Sequence, residues 1–306
     1  MTRILLASAL VGAVIVSSGA RQAPTDAARA RLTIDAVAFD RAGRPVMDLK
    51  PSEVEVWIGQ FRVPIDTFTV VTPGADERLG RIVVLLLDDI TVPLTMIPRV
   101  KEVARRFVSK MGPGDQMAVV LLNNPSLETT GDAAKLNRAI DAYNIPAMGV
   151  MRRDELGSHV LKTINSISRA FAEAGTGRKG IVGIGSGLFD RPLPPPSVGG
   201  DLLPEWIDVM KSLSRTNTNF YAIDPSGVGV YRMADGGETG FARETGGQAF
   251  LNTNDLNGAA DRILRELGSY YAFAVESPPV GGSGLRPLDI RVSRKGVTIR
   301  ARRAIH

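Results

Sequence analysis

Between Arg81 and Thr91 the chain reads Arg-Ile-Val-Val-Leu-Leu-Leu-Asp-Asp-Ile-Thr. A half-exposed strand alternates apolar and polar residues, and this run does not. Six consecutive apolar residues, mostly branched, predict a strand covered on both faces, as in the middle of a parallel sheet. Two carboxylates and a hydroxyl (Asp88, Asp89, Thr91) follow at once, where central strands of open α/β sheets present their ligand-binding ends. Asp-Asp-x-Thr at that place reads as an oxygen-ligand cation site, either working or reduced to a remnant.

The rest of the chain supplies the partners such a strand needs. Pro98 suits the first turn of a helix, and Val100, Val103, Ala104, Phe107, Val108 and Met111 give it one buried face. Gly112-Pro-Gly-Asp115 ends that helix and Met117–Leu122 is a second buried strand, with Ser126–Thr130 as a short edge strand. Asp132 caps a helix that turns Leu136 and Ile140 inward, and another carries Leu156, Val160, Leu161, Ile164, Ile167 and Phe171. Gly180–Ser186 is a further strand, 191–204 a Pro- and Gly-rich surface loop, and 204–215 a helix leading to strand Phe220–Asp224. A short helix closing on Gly246-Gly247, a minor strand Gln248–Leu251, a helix capped by Asn254 or Asp255, and strand Tyr270–Val275 complete the run. Strands alternating with helices predict a doubly wound, mostly parallel α/β sheet of the Rossmann-like kind.

Segments on either side of this run are β in character. Leu32–Ala38 alternates, Asp40–Pro45 is turn chemistry, and Val54–Ile58 and Val63–Phe68 predict two more strands around Gly59-Gln60. Leu288–Val292 and Val297–Ala301, split by Lys295-Gly296, predict a closing hairpin. The expected organisation is a small β unit at 31–76, the α/β domain at 77–277, and a hairpin at 278–306 packing back on the β unit.

Residues 1–30 stand outside the fold. Met1-Thr-Arg3 is a short basic start, Ile4–Val16 is apolar, and Ser18-Gly-Ala20 offers the small residues of a cleavage site. The run is shorter than the ~20 apolar residues a spanning helix needs. It predicts a signal peptide over 1–20, the alternative being an uncleaved anchor, with a flexible leader at 21–30 and a periplasmic or extracellular destination. The chain has no Cys, and its 306 residues are enough for a core without disulfides. The net charge of +5 is concentrated at the end, where 286–306 hold seven basic residues and one acid. Without interleaved aromatics, that stretch reads as a solvated strand face rather than a nucleic-acid surface.

The order of a Leu-Leu-Leu-Asp-Asp strand, an amphipathic helix, a Gly-Pro-Gly-Asp turn and an Ala-Val-Val strand resembles a von Willebrand factor type A domain. Arg178-Lys-Gly-Ile-Val before a glycine-rich strand end resembles it as well. Gly43-Arg-Pro-Val46 with Leu49, Glu53–Trp57, Tyr221–Pro225, Glu244–Gly247, Tyr270-Tyr271 and Val297–Arg302 are similar to the bacterial VWFA-related exported proteins. The resemblance implies that the first strand lies beside the one from Gly180–Ser186, so that Asp88, Asp89 and Ser186 converge in the crevice between them. In that family the crevice holds a divalent cation, usually Mg²⁺, through Asp-x-Ser-x-Ser, a Thr from a second loop and an Asp from a third. Hydroxyl ligands leave the ion able to accept a partner's carboxylate.

This chain departs from that set. Counted from Asp89, Thr91 keeps one hydroxyl and Pro93 replaces the other; counted from Asp88, both are lost. In the second loop, around 149–158, only Ser158 offers a hydroxyl, and Arg152-Arg153 would repel a cation. The third carboxylate is replaced by Ser186-Gly187. The expectation is therefore a degenerate metal-ion-dependent adhesion site: Asp88, Asp89, Thr91 and Ser186 are the only metal-ligand candidates, with Mg²⁺ the ion they would take if any. In the structural alternative Asp89 caps the next segment and Asp88 accepts loop N–H groups.

Enzyme motifs fail on their spacing. Gly183-Ile-Gly185-Ser186-Gly187 lacks the glycine at 188 for a dinucleotide loop, and the glycines at 184 and 188 for a nucleophile elbow. His159 and His306 are the only histidines, and neither is placed as a base for Ser186. Asp224-Pro-Ser-Gly227 ends another strand at the same sheet edge, either as a turn or as part of the crevice. Tyr270-Tyr271 put at least one ring into the core, and Pro194–Pro196 read as a surface connection or a partner loop.

The sequence thus predicts an exported protein–protein interaction module, not an enzyme, with Asp88, Asp89, Thr91, Ser186 and Asp224 along its partner-binding edge and no cofactor. The alternatives are a divalent-cation-dependent adhesion domain and, more remotely, a serine hydrolase centred on Ser186. The partner is a protein rather than nucleic acid, with no membrane span after cleavage.

Overall fold

The computed structural model describes residues 31–72, 80–146, 152–174, 177–186, 189, 203–229, 240–278 and 284–306. The signal peptide and leader expected over 1–30, Gly187 and Pro194–Pro196 lie outside them.

Ile82–Leu87 forms strand β5 with all six residues buried. Its neighbours are β6 (Gln116–Leu121) and β7 (Lys179–Ile184), both parallel to it; β8 (Thr218–Ile223) and β9 (Ala249–Phe250) extend the sheet in the order β6-β5-β7-β8-β9. The chain leaves β5 in one direction and returns on its other side as β7, so the strand order reverses between β5 and β7. That is the topological switch point of a doubly wound sheet, where ligands bind.

Both faces of the sheet are covered, which is why β5 and β8 carry no polar alternation. Helices α1 (Ile97–Ser109), α2 (Ala133–Ala142) and α6 (Leu256–Gly268) pack on one face, and α3 (Arg153–Ala170), α4 (Leu203–Arg215) and α5 (Phe241–Glu244) on the other. Pro98 sits in the first turn of α1, and Val100, Val103, Ala104, Phe107 and Val108 are its buried stripe. Asp132 caps α2 by accepting from the N–H groups of Ala134 (2.8 Å) and Lys135 (3.2 Å). Of the two candidates before α6, Asp255 is the cap, on Gly258 N at 2.8 Å. The expected strand at 126–130 reduces to a single bridge between Thr130 and Met117.

The flanking segments build a sandwich of two antiparallel sheets. One comprises β12 (Val297–Ala301), β1 (Arg31–Asp40), β10 (Tyr270–Glu276) and β4 (Ile65–Val71); the other comprises β13 (Ala304–Ile305), β11 (Arg286–Val292), β2 (Val54–Ile58) and β3 (Phe61–Val63). Ile34, Val56, Ile58, Tyr271, Phe273 and Val275 form the core between them. Gly59 at φ +61 makes the two-residue turn from β2 to β3. Pro64, unable to donate to a ladder, stands where the chain leaves β3 for β4 in the other sheet.

Three expectations about these segments fail. Tyr270–Val275 does not close the parallel run: β10 is antiparallel, lying between β1 and β4. Its buried residues alternate (Tyr271, Phe273, Val275), as befits a strand with one face in a sandwich core. The last two long strands do not form a hairpin either, because β11 pairs with β2 and β13 while β12 pairs with β1. They return to the N-terminal strands by splitting between the two sheets. Nor is the basic stretch a purely solvated face. Arg302 is buried, Arg300 bonds Glu266, and Arg294 holds both Glu53 and Asp48.

Candidate functional site

The switch point is built on the C-terminal ends of β5, β7 and β8. Asp88 follows β5 directly; its N–H donates to Ile184 O at 3.0 Å, tying it to the end of β7. Its side chain is completely buried. Oδ1 accepts from the N–H groups of Ile90 (3.0 Å) and Thr91 (2.8 Å), and Oδ2 accepts from the Thr91 hydroxyl. Both carboxylate oxygens are thus engaged within three residues of their own Cα. Burial pushes the Asp88 carboxyl above the usual carboxylate range, against the lowering effect of Thr91 and the loop N–H groups, and the Asp89 charge adds to the rise.

Asp89 turns the other way. Rather than capping its own segment, it accepts from Asn123 N at 2.7 Å, linking the loop after β5 to the loop after β6. Tyr143, just beyond α2, donates its hydroxyl to Asp88 O at 2.7 Å. Burial, then the nearby Asp88 and Asp89 charges, raises the Tyr143 phenol well above its ordinary value. Asn123 and Tyr143 escape sequence reading because neither sits in a pattern that points to the acids.

Ser186 is half-buried at the end of β7 and faces β8, its Oγ 3.3 Å from Ser226 Oγ. Asp224, buried after β8, accepts from Ser226 N at 2.8 Å, so Asp224-Pro-Ser-Gly227 is a turn that also edges the crevice. The two acids and the serine therefore share one sheet edge, but the contact between β5 and β7 is made by Gly185. A Cβ there would lie 2.6 Å from Asp88 Cβ and 2.8 Å from its Oδ2.

Arg99, on the first turn of α1, points at the same edge. Its guanidinium reaches Ser226 O and Asn254 Oδ1, each at 3.4 Å. Ser158 is turned aside, donating to Glu205 Oε1 at 3.1 Å. The histidines serve other places: His159 Nε2 donates to Leu122 O at 2.6 Å, and Arg215 donates to His306 Nε2 at 3.2 Å. Among the described residues no three His, Cys, Asp or Glu side chains group as metal ligands, and no helix is long and apolar enough to cross a membrane.

No family model and no curated protein matches this chain. Solved structures with a similar course include an aerotolerance-related membrane protein from Bacteroides fragilis, at 17% identity and a TM-score of 0.43, covering 61% of this chain and 98% of that one. The manganese-loaded TRAP protein of Plasmodium vivax is similar at 10% identity and a TM-score of 0.40, covering 77% and 96%. The human COPII-coat protein Sec24c follows at 8% identity and a TM-score of 0.38, covering 78% of this chain and 44% of that one. All three scores lie below 0.5, so the fold assignment rests on this chain's own strand order and covered faces.

Proposed function

We propose that this chain is an exported protein-binding module of the von Willebrand factor type A class, and that the C-terminal edge of its parallel sheet docks a partner without a resident divalent cation. One observation carries the reading: the Asp88 carboxylate is spent on its own loop, through Ile90, Thr91 and the Thr91 hydroxyl. A carboxylate held in that way is a loop staple, and freeing it for Mg²⁺ would undo three hydrogen bonds.

The same edge is suited to protein contact. Leu94 and Val228, on the loops after β5 and β8, are 65% and 58% exposed, the two highest values among the large apolar side chains exposed in the described residues. Arg99 brings a cation between those loops, its guanidinium on the neutral oxygens of Ser226 and Asn254. Apolar side chains around an arginine are the composition of many protein-binding patches.

Two measurements on the purified chain test this. Calorimetric titration with Mg²⁺ or Mn²⁺ should give no saturable heat; saturable binding abolished by Asp88→Ala would establish the cation-dependent alternative. A photo-crosslinking residue at position 94 or 228, incubated with cell-envelope extract, should capture a discrete protein in the presence of EDTA. The same probe at Phe61 or Val70, exposed on the β sandwich, should not; capture from those positions alone would move the docking surface off the sheet edge. Labelling of Ser186 by a serine-reactive probe would favour the hydrolase reading instead.

A further inference from the structure

Along the C-terminal edge of the parallel sheet the acids face inward and a cation faces outward. Asp88, Asp89 and Asp224 are all buried. Each is matched by donors from the loops: Asp88 by Ile90, Thr91 and the Thr91 hydroxyl, Asp89 by Asn123 N, and Asp224 by Ser226 N. Asp255, before α6, is turned onto Gly258 N as the helix cap. A partner arriving at this edge does not meet the three buried carboxylates, although they dominate the sequence there.

Arg99 is their counterpart, half-buried with its guanidinium over the loop after β8. The seat is shaped for it. Gly227, at φ +83, has no Cβ; one there would stand 2.9 Å from Arg99 Nη1 and closer still to Asn254 Oδ1. Nη1 donates to Ser226 O and Nη2 to Asn254 Oδ1, both at 3.4 Å, the long limit of a hydrogen bond. Asn254 Oδ1 also accepts from Val228 N at 3.3 Å, which ties Arg99, Asn254 and Val228 into one cluster. A guanidinium has five N–H donors in a planar fork and stays charged at any working pH. Two long contacts to neutral oxygens use a small part of that capacity. The first turn of α1 holds no acid, and Met96 at its N-cap supplies no side-chain acceptor, so the positive end of the helix adds to the charge of Arg99.

The apolar neighbours narrow the partner further. Val228 follows Gly227 directly, and Leu94 opens the short turn that leads into α1; both are exposed. An arginine beside two aliphatic side chains is complementary to a carboxylate beside an aliphatic one. Packing the aliphatic groups together excludes water from the ion pair and strengthens it. A phosphate backbone would satisfy the arginine but leave Leu94 and Val228 in water.

We propose that Arg99 receives an Asp or Glu side chain of the partner protein, with an apolar residue next to that acid packing on Leu94 and Val228. This rests on the reading of the edge as a protein-docking surface, and the test separates the two. Random peptides displayed on phage are selected on the purified chain in EDTA. Selected peptides are remade with amidated C-termini, and again with each acid replaced by its amide. Selection should yield Asp or Glu next to Leu, Ile, Val or Phe, and those peptides should be captured by a photo-crosslinking residue at position 94 or 228. The amide versions should bind at least about tenfold more weakly, and Arg99→Gln should cost as much. Binding should weaken with added salt. Arg99→Glu should turn the selection towards Lys and Arg. Melting temperatures check that both variants fold, and the amide peptides probe the same contact on the unaltered chain. Peptides captured from 94 or 228 that bind equally well without their acid would overturn the carboxylate proposal and leave the docking edge standing. If no selected peptide is captured from those positions, both fall. An acid effect undiminished in folded Arg99→Gln would overturn the assignment to Arg99.

Discussion

Gly185 lies against the side chain of Asp88, so close that a Cβ at 185 would stand 2.6 Å from Asp88 Cβ and 2.9 Å from Phe189 Cε2. The absence of a side chain is what lets the end of β7 close on the loop after β5. Gly185→Ala is therefore expected to destabilise the fold by about 1–3 kcal/mol, the usual cost of overpacking a filled site. Urea unfolding checks this: the midpoint should fall with an unchanged slope. A neutral substitution would mean that the two strand ends are not in contact.

Asp88 acts on its own loop, and two substitutions separate that role from metal binding. Asp88→Asn keeps an oxygen for the N–H groups of Ile90 and Thr91, while Asp88→Ala leaves them buried and unpaired. Asp88→Ala should cost about 1–3 kcal/mol and Asp88→Asn much less. The pH dependence has a definite sign. The folded carboxyl is raised above its ordinary 3.8 by burial. Its contribution is thus complete below the unfolded pKa and declines as pH rises through the folded one. Wild type should lose stability relative to Asp88→Asn across that window, as read from melting temperatures in a pH series.

How far the sequence shows this depends on how local each feature is. The covered strand Ile82–Leu87 and the stripe Val100–Val108 are set by periodicity within a few residues, and both are found as expected. The Asp88–Thr91 staple is local too, spanning three residues. The role of β10 was hidden because Ala272 and Ala274 fill the outward positions between Tyr271, Phe273 and Val275, so an alternating strand reads as a continuous apolar run. Asn123 reaches Asp89 across 34 residues and Tyr143 reaches Asp88 across 55. Arg99 meets Ser226 across 127. Such pairings exist only once the sheet order is set, and no local pattern announces them.

Tyr271 is the polar pin of the β sandwich. Its ring lies in the core, and its hydroxyl accepts from Leu49 N at 3.0 Å and donates to Val46 O at 2.9 Å, holding the 46–49 segment onto β10. Tyr271→Phe should cost about 1–3 kcal/mol, because it leaves a buried N–H without its acceptor. Hydrogen exchange locates the effect: the Leu49 amide should lose protection, while amides of β5 should change only as far as global stability falls.

Glu53 and Arg294 give a second pH signature, opposite in sign to that of Asp88. Arg294 donates to Glu53 from Nε at 2.8 Å and from Nη2 at 2.7 Å, and the Lys50 N–H donates to the same carboxylate at 2.8 Å. These bonds, the Arg294 pair first, hold the Glu53 carboxyl down at about 2, against its usual 4.5. A carboxyl depressed by folding contributes stability above its unfolded pKa and loses it as pH falls through the folded one. The melting-temperature gap between wild type and Glu53→Gln should therefore be constant above about pH 5.5 and shrink as the pH falls from 4.5 toward 2. High salt should narrow the gap, since the pair lies at the surface. A gap that persists unchanged at pH 2 would show that Gln at 53 disturbs the turn before β2 by some route other than the loss of charge.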